Sequence, residues 1–125
     1  MHSFVLQDWT TIRGSSSVAT VTQAESDYLD LSPFQDVAFW IDVREVSGTT
    51  VTLTIQTGPS LDDALFTAMV AGTALSAASV PIVQTAIMTA ASVPLARWVR
   101  WQLTGSGSPW DTTFRILAAA NAPGL

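Results

Sequence analysis

Cysteine is absent from this chain, which removes disulfide frameworks, thiolate zinc sites and cysteine nucleophiles together. Lysine is absent as well: all five basic residues are arginine (Arg13, Arg44, Arg97, Arg100, Arg115), and ten acids bring the formal charge to −5. Phosphate backbones are held by clustered positive charge, so no nucleic-acid partner is expected. Histidine occurs once, as His2 beside the initiator methionine. One imidazole with no thiol excludes a serine triad, an HExxH zinc helix and a structural zinc set. No GxGxxG or GxxxxGK(S/T) phosphate loop occurs either, so no cofactor is expected. Long apolar runs are also missing. Phe4-Val5-Leu6 is too short for a secretory signal and lacks a basic flank. Val70–Ala91 is rich in alanine and valine but is broken by Gly72, Pro81, Gln84 and several Ser and Thr, short of a membrane span. The expectation is a soluble protein made in the cytoplasm, with no membrane partner.

What is present is apolar and patterned. The chain has 125 residues, 48% hydrophobic and 12% charged, which suits one domain over 1–125. A domain of this length buries roughly two-thirds of its unfolded surface, enough for a core without metal or disulfide. Between Asp36 and Thr57 two stretches alternate with period two across the turn Ser47-Gly48-Thr49, which reads as a hairpin. Val37, Phe39, Ile41 and Val43 share the face expected inside, and Ala38, Trp40, Asp42 and Arg44 the other. In the second stretch Val51, Leu53 and Ile55 point inward, while Thr50, Thr52, Thr54 and Gln56 point to water.

Further strands are expected at Ser3–Gln7, Ser16–Thr22, Tyr28–Leu31, Phe66–Val70, Ser79–Ala90, Leu95–Thr104 and Thr112–Ala118, with a bulge or bend near Pro81. Gly58-Pro59-Ser60 ends a strand, and Ser60 before Leu61-Asp62-Asp63 predicts a short helical turn near 60–65. The alanines of Leu61–Ala91 would suit a helix, but Gly72, Pro81 and the many β-branched and hydroxyl residues favour extended structure. About seven to nine short strands with hardly any helix predict an all-β, antiparallel, jelly-roll-like sandwich. The end segments 1–9 and 118–125 are candidate arms for contact with neighbours.

Carboxylates cluster at Asp27/Asp30/Asp36 and Asp62/Asp63, but neither cluster has the spacing of a calcium loop. Helix capping and solvation account for them, and no catalytic or metal-binding residue is expected. The arginine–tryptophan pattern is the stronger signal. In Leu95–Thr104 Val99, Trp101 and Leu103 point inward, which turns Trp98 and Arg100 outward, with Trp40 and Arg44 on a neighbouring surface. Tryptophan and arginine carry much of the energy at protein interfaces. The competing account covers these tryptophans with loops and stacks the arginines on them. Trp9 and Trp110, at strand edges, suit either a ligand platform or a plug for the end of the sandwich. The candidate interface set is therefore Trp9, Trp40, Arg44, Trp98, Arg100 and Trp110.

The order TVTLTIQTGPSLDD, then LARWVRWQLTGSGS, then TFRIL, within Asp36–Leu117, is similar to small β-sandwich virion proteins of tailed bacteriophages. That resemblance implies a non-enzymatic capsid decoration or cement protein on the capsid surface, made in the host cytoplasm. It also implies a homo-oligomer, with a trimer favoured, and the major capsid protein or another virion protein as partner. Ala96-Arg97-Trp98-Val99-Arg100, followed by Thr113-Phe114-Arg115-Ile116, also resembles the strands of discoidin-like galactose-binding jelly rolls. This second resemblance implies a carbohydrate-binding module; on residue grounds its contact set would be Trp98, Trp110 and nearby Arg and Asp.

Overall fold

In a computed structural model the structure describes residues 2–48, 50–69, 73–75, 82–87, 95–106 and 109–121, with the backbone alone at 73–75 and 82–87. These residues form β1 (His2–Gly14), β2 (Thr20–Thr22), β3 (Leu29–Asp30), β4 (Asp36–Ser47), β5 (Thr50–Gly58), β6 (Thr67–Ala68), β7 (Thr73–Leu75), β8 (Ile82–Ile87), β9 (Trp98–Ser106) and β10 (Trp110–Asn121). Two 3-10 turns, Glu25–Asp27 and Asp63–Leu65, are the only helical pieces among them. The second is the turn expected near 60–65. Asp62 caps it by accepting a hydrogen bond from the Ala64 backbone N–H at 3.1 Å. The bend expected near Pro81 and the tail residues 122–125 lie outside the described residues.

One sheet runs in the order β1-β10-β4-β8 and the other β2-β9-β5-β6, with β3 also on β9 and β7 also on β5. Every pairing is antiparallel, and the pairs nest: β1 with β10, β2 and β3 with β9, β4 with β8, β5 with β6 and β7. A long hairpin rolled up in this way is a jelly roll. The all-β sandwich expected from alternation is therefore the fold.

The expected Asp36–Thr57 hairpin is not. Among the described residues β4 and β5 share no ladder, because they belong to opposite sheets. Alternation tells which side chains face the core, and an inward face is served equally by a neighbouring strand or by one across the sandwich. Here Phe39, Ile41 and Val43 meet Val51, Leu53 and Ile55 from the other side, all at most 3% exposed. Gly48, at φ 117°, turns the chain across the corner in the left-handed region that glycine tolerates. Each fully buried side chain of this kind contributes about 1.5–3 kcal/mol, so this shared core dominates the stability.

β1 is longer than the expected Ser3–Gln7, and it slips register between Val5 and Gln7 and again between Gln7 and Thr10. Such bulges twist an edge strand away from flat pairing. The slip lets Gln7 accept a hydrogen bond from the indole N–H of Trp101 at 3.0 Å. Buried Gln23 ties the same region together: its amide donates to the carbonyls of Leu6 and Asp27, at 2.7 and 3.2 Å. Of the segments expected as arms, residues 2–4 pair with 118–120, His2 opposite Ala120 and Phe4 opposite Ala118, while 118–121 also pair with β4, so β1 is the edge strand and β10 lies inside the sheet.

Candidate interaction surface

The outer faces of the two sheets differ. On the β2-β9-β5 sheet polar side chains satisfy one another: Gln102 donates to Thr22 Oγ1 at 3.0 Å, Gln56 to Gln102 Oε1 at 3.2 Å, and Arg100 Nε to Gln56 Oε1 at 2.7 Å. On the β1-β10-β4 sheet register brings Val5, Leu117 and Trp40 into one row, with Ser3, Ala119 and Ala38 in the next. The small residues of the second row leave a groove of about 410 Å³ walled by Val5, Trp40 and Leu117 and floored by Ser3 and Ala119. Val5 is 54% and Trp40 38% exposed there. Exposed apolar side chains gathered in this way make the β1-β10-β4 face the candidate contact surface.

Beside the groove lies a charged row. Asp42 receives Arg44 at Nε (2.7 Å) and Nη2 (3.2 Å) and Arg115 at Nε (3.3 Å). Trp9 lies over both guanidiniums, 4.9 Å from Arg115 and 5.9 Å from Arg44. The Arg44 hydrogen bond, aided by both positive charges, holds the Asp42 carboxyl below the usual carboxylate range despite its burial, and the Arg44 guanidinium is raised in return. Two cations thus share one anion.

The candidate interface residues divide three ways. Trp9, Trp40 and Arg44 meet on this face, joined by Arg115 and Asp42. Trp98 and Arg100 lie on the opposite sheet, so the two pairs expected on neighbouring surfaces sit on opposite sides of the sandwich. Trp98 is half-buried under the Arg97 guanidinium, 5.0 Å from its ring. Arg100 points away from the core as alternation requires, yet it is only 3% exposed, because Tyr28, Asp63 and Phe66 fold over it. Trp110 is completely buried and serves as the end plug of the sandwich. Arg115 was readable as outward from the alternation of Phe114 and Ile116. Its approach to Asp42, 73 positions away, was not.

The other sequence features have structural roles. The His2 ring packs on Phe34 at 5.2 Å. Asp36 accepts from Asn121 at 3.0 Å, Asp62 caps its turn, and Asp63 pairs with Arg100. Among the described residues no group of three His, Asp or Glu side chains is gathered to hold a metal. Asp30 is held at about 2, first by the Arg97 hydrogen bond and then by the Ser32 backbone N–H. Because this folded value lies below the ordinary 3.8, the pair's contribution is complete above about pH 4 and fades as pH falls towards 2. Thermal melts should therefore lose stability through that window, and Asp30→Asn should flatten part of the fall. An unchanged acid slope in Asp30→Asn would remove the pair as a cause. The effect is modest because the pair is solvated.

No protein-family model matches this chain, and no curated protein does. Solved structures share its fold, two of infectious bursal disease virus among them. The structure of the infectious bursal disease virus Gx strain is 14% identical over 98% of the chain, with a TM-score of 0.55. The crystal structure of the infectious bursal disease virus VP2 subviral particle is 10% identical over 98%, with a TM-score of 0.51. The chain spans 32% of the length of each of them.

Proposed function

We propose that this chain is a non-enzymatic structural protein of a virion, acting through protein–protein contacts as a homo-oligomer. The observation that carries the reading is the jelly roll itself, matched over 98% of the chain in structures of a virus and of a subviral particle. The exposed groove and arginine–tryptophan row of one sheet support it, since such side chains carry interface energy. The finer reading is a decoration or cement protein on the capsid surface of a tailed bacteriophage, docked on the major capsid protein as a trimer and made in the host cytoplasm. The segments 1–9 and 118–125 are proposed to contact neighbours, with β1 supplying the open sheet edge. The carbohydrate-binding alternative is less favoured because Trp110 is fully buried and Trp98 is half-buried beneath Arg97.

Co-sedimentation of the purified protein with mature phage capsids stripped of their own decoration tests the proposal. Saturable binding in a fixed ratio to capsid subunits is expected, and Trp40→Ala should weaken it roughly tenfold or more. A folded protein that stays in the supernatant with every such particle would overturn it.

A further inference from the structure

We infer that copies of this chain join head to tail, the exposed turn Leu61–Leu65 of one copy seated on the β1-β10-β4 face of the next. The inference rests on the reading of the chain as a self-associating structural protein, and goes beyond it by naming both contact surfaces. Among the described residues six large apolar side chains are exposed: Val5, Trp9, Val18, Trp40, Leu61 and Leu65. Five of the six fall into two patches. Val5, Trp9 and Trp40 lie on the outer face of one sheet, while Leu61 precedes and Leu65 closes the 3-10 turn Asp63–Leu65. Asp63 pairs with Arg100, which points outward from β9 of the other sheet, so the two patches sit on opposite sides of the sandwich.

Their chemistry is complementary. The groove beside Trp40 has about 410 Å³ and apolar walls, room for a projecting leucine. At its edge Arg44 and Arg115 share the single Asp42 carboxylate, which leaves the Arg115 Nη groups and Arg44 Nη1 without a hydrogen bond among the described residues. The turn presents Asp62, whose carboxylate meets only the Ala64 N–H and forms no ion pair among the described residues. Asp8 and Glu45, the next acids along β1 and β4, form no ion pair there either, so the match is one of neighbouring groups and not of whole faces. The turn is also held in place: Arg100 is clamped between it, Tyr28 and Gln56, so seating it requires little reordering. Two unlike patches on opposite sides make a heterologous contact, which closes into a ring or propagates as a stack according to the rotation between copies.

A complementation experiment tests this. One variant carries Leu61→Asp and Leu65→Asp, the other Val5→Asp and Trp40→Ala, and circular dichroism checks that each keeps its β spectrum. In sedimentation velocity the wild type should form a concentration-dependent oligomer, while each variant alone should associate about thirtyfold more weakly or worse. Mixed one to one, the two variants should form a two-chain species, because each keeps the surface the other lacks. An oligomer unaffected by either variant, or folded variants that stay monomeric when mixed, would overturn the inference while leaving the virion reading in place. A wild type that is monomeric throughout yet coats capsids would overturn the inference and the homo-oligomer part of the proposed function but not the virion role, whereas a protein that self-assembles as described but binds no capsid overturns the proposed function and leaves this inference standing. Should a double variant not fold, Asp62→Arg replaces it: a roughly fivefold loss of association is expected, and none would count against the contact.

Discussion

Trp110→Ala should be the most damaging single substitution in this protein, lowering stability by about 3–5 kcal/mol. The indole is 0% exposed, and three glycines close around it. Gly14 is its β1 partner in the ladder, Gly105 ends the apolar run of β9, and Gly48 turns the β4–β5 corner 2.6 Å from the Trp110 Cβ at the point where a Cβ would stand. A Cβ on Gly14 or Gly105 would overlap the ring. The ring N–H also donates to the Val18 carbonyl at 3.2 Å, which pins the loop between β1 and β2. Truncation therefore opens a cavity where both sheets, the corner and that loop converge. Against a total of roughly 5–15 kcal/mol for a domain of this size, the thermal midpoint should drop by about 10–20 °C.

The glycines sharpen the test. Gly105→Ala alone should cost about 1–3 kcal/mol, because the rigid indole cannot yield to a new methyl. In a Trp110→Ala background the same change should cost almost nothing, since the methyl enters the space the ring has left. Urea unfolding of the four proteins measures that coupling. Simple additivity would show that the ring is not what Gly105 makes room for.

Trp110 also marks the limit of what period-two alternation specifies. The alternation of Val37, Phe39, Ile41 and Val43, of Val51, Leu53 and Ile55, and of Val99, Trp101 and Leu103 announces their inward faces, and all are buried. Period two carries no information about which strand lies alongside, so β4 and β5 read as a hairpin although the sandwich places them in opposite sheets. Trp110 follows a Gly/Ser/Pro loop, a setting that suits exposure and plugging equally. Its burial is decided by glycines 96, 62 and 5 positions away, which meet only once the chain is rolled. The candidate surface was half visible for the same reason. Trp40, Asp42 and Arg44 alternate outward on one strand, but Trp9 and Arg115 reach them only through the β1-β10-β4 ladder order.

Arg100→Ala should be nearly as costly as loss of the plug, at about 2–4 kcal/mol, although the residue sits on the outward side of β9. Its side chain is 4% exposed, and its guanidinium is held by Gln56, Tyr28 and Asp63 with the Phe66 ring 4.1 Å from its centre. Tyr28 and Phe66 pack edge to face at 5.3 Å around it. Its partner Asp63 is 84% exposed, so water already competes for the carboxylate, and although Arg100 itself is desolvated, Asp63→Ala should cost less than Arg100→Ala, at about 1–2 kcal/mol. The asymmetry follows from which end of the pair is desolvated: without Asp63 the cation keeps its rings and its amide, whereas without Arg100 the rings and the amide lose what they enclose. Arg100→Met, which keeps an unbranched stem against Phe66, should recover part of the loss. Equal losses for Asp63→Ala and Arg100→Ala in chemical unfolding would mean that the ion pair, and not the enclosure, holds the segment down. The same enclosure fixes the Leu61–Leu65 turn on the sheet. If copies join head to tail as proposed, Arg100→Met should weaken self-association by loosening the Leu61–Leu65 turn while leaving the residues of both contact surfaces unchanged.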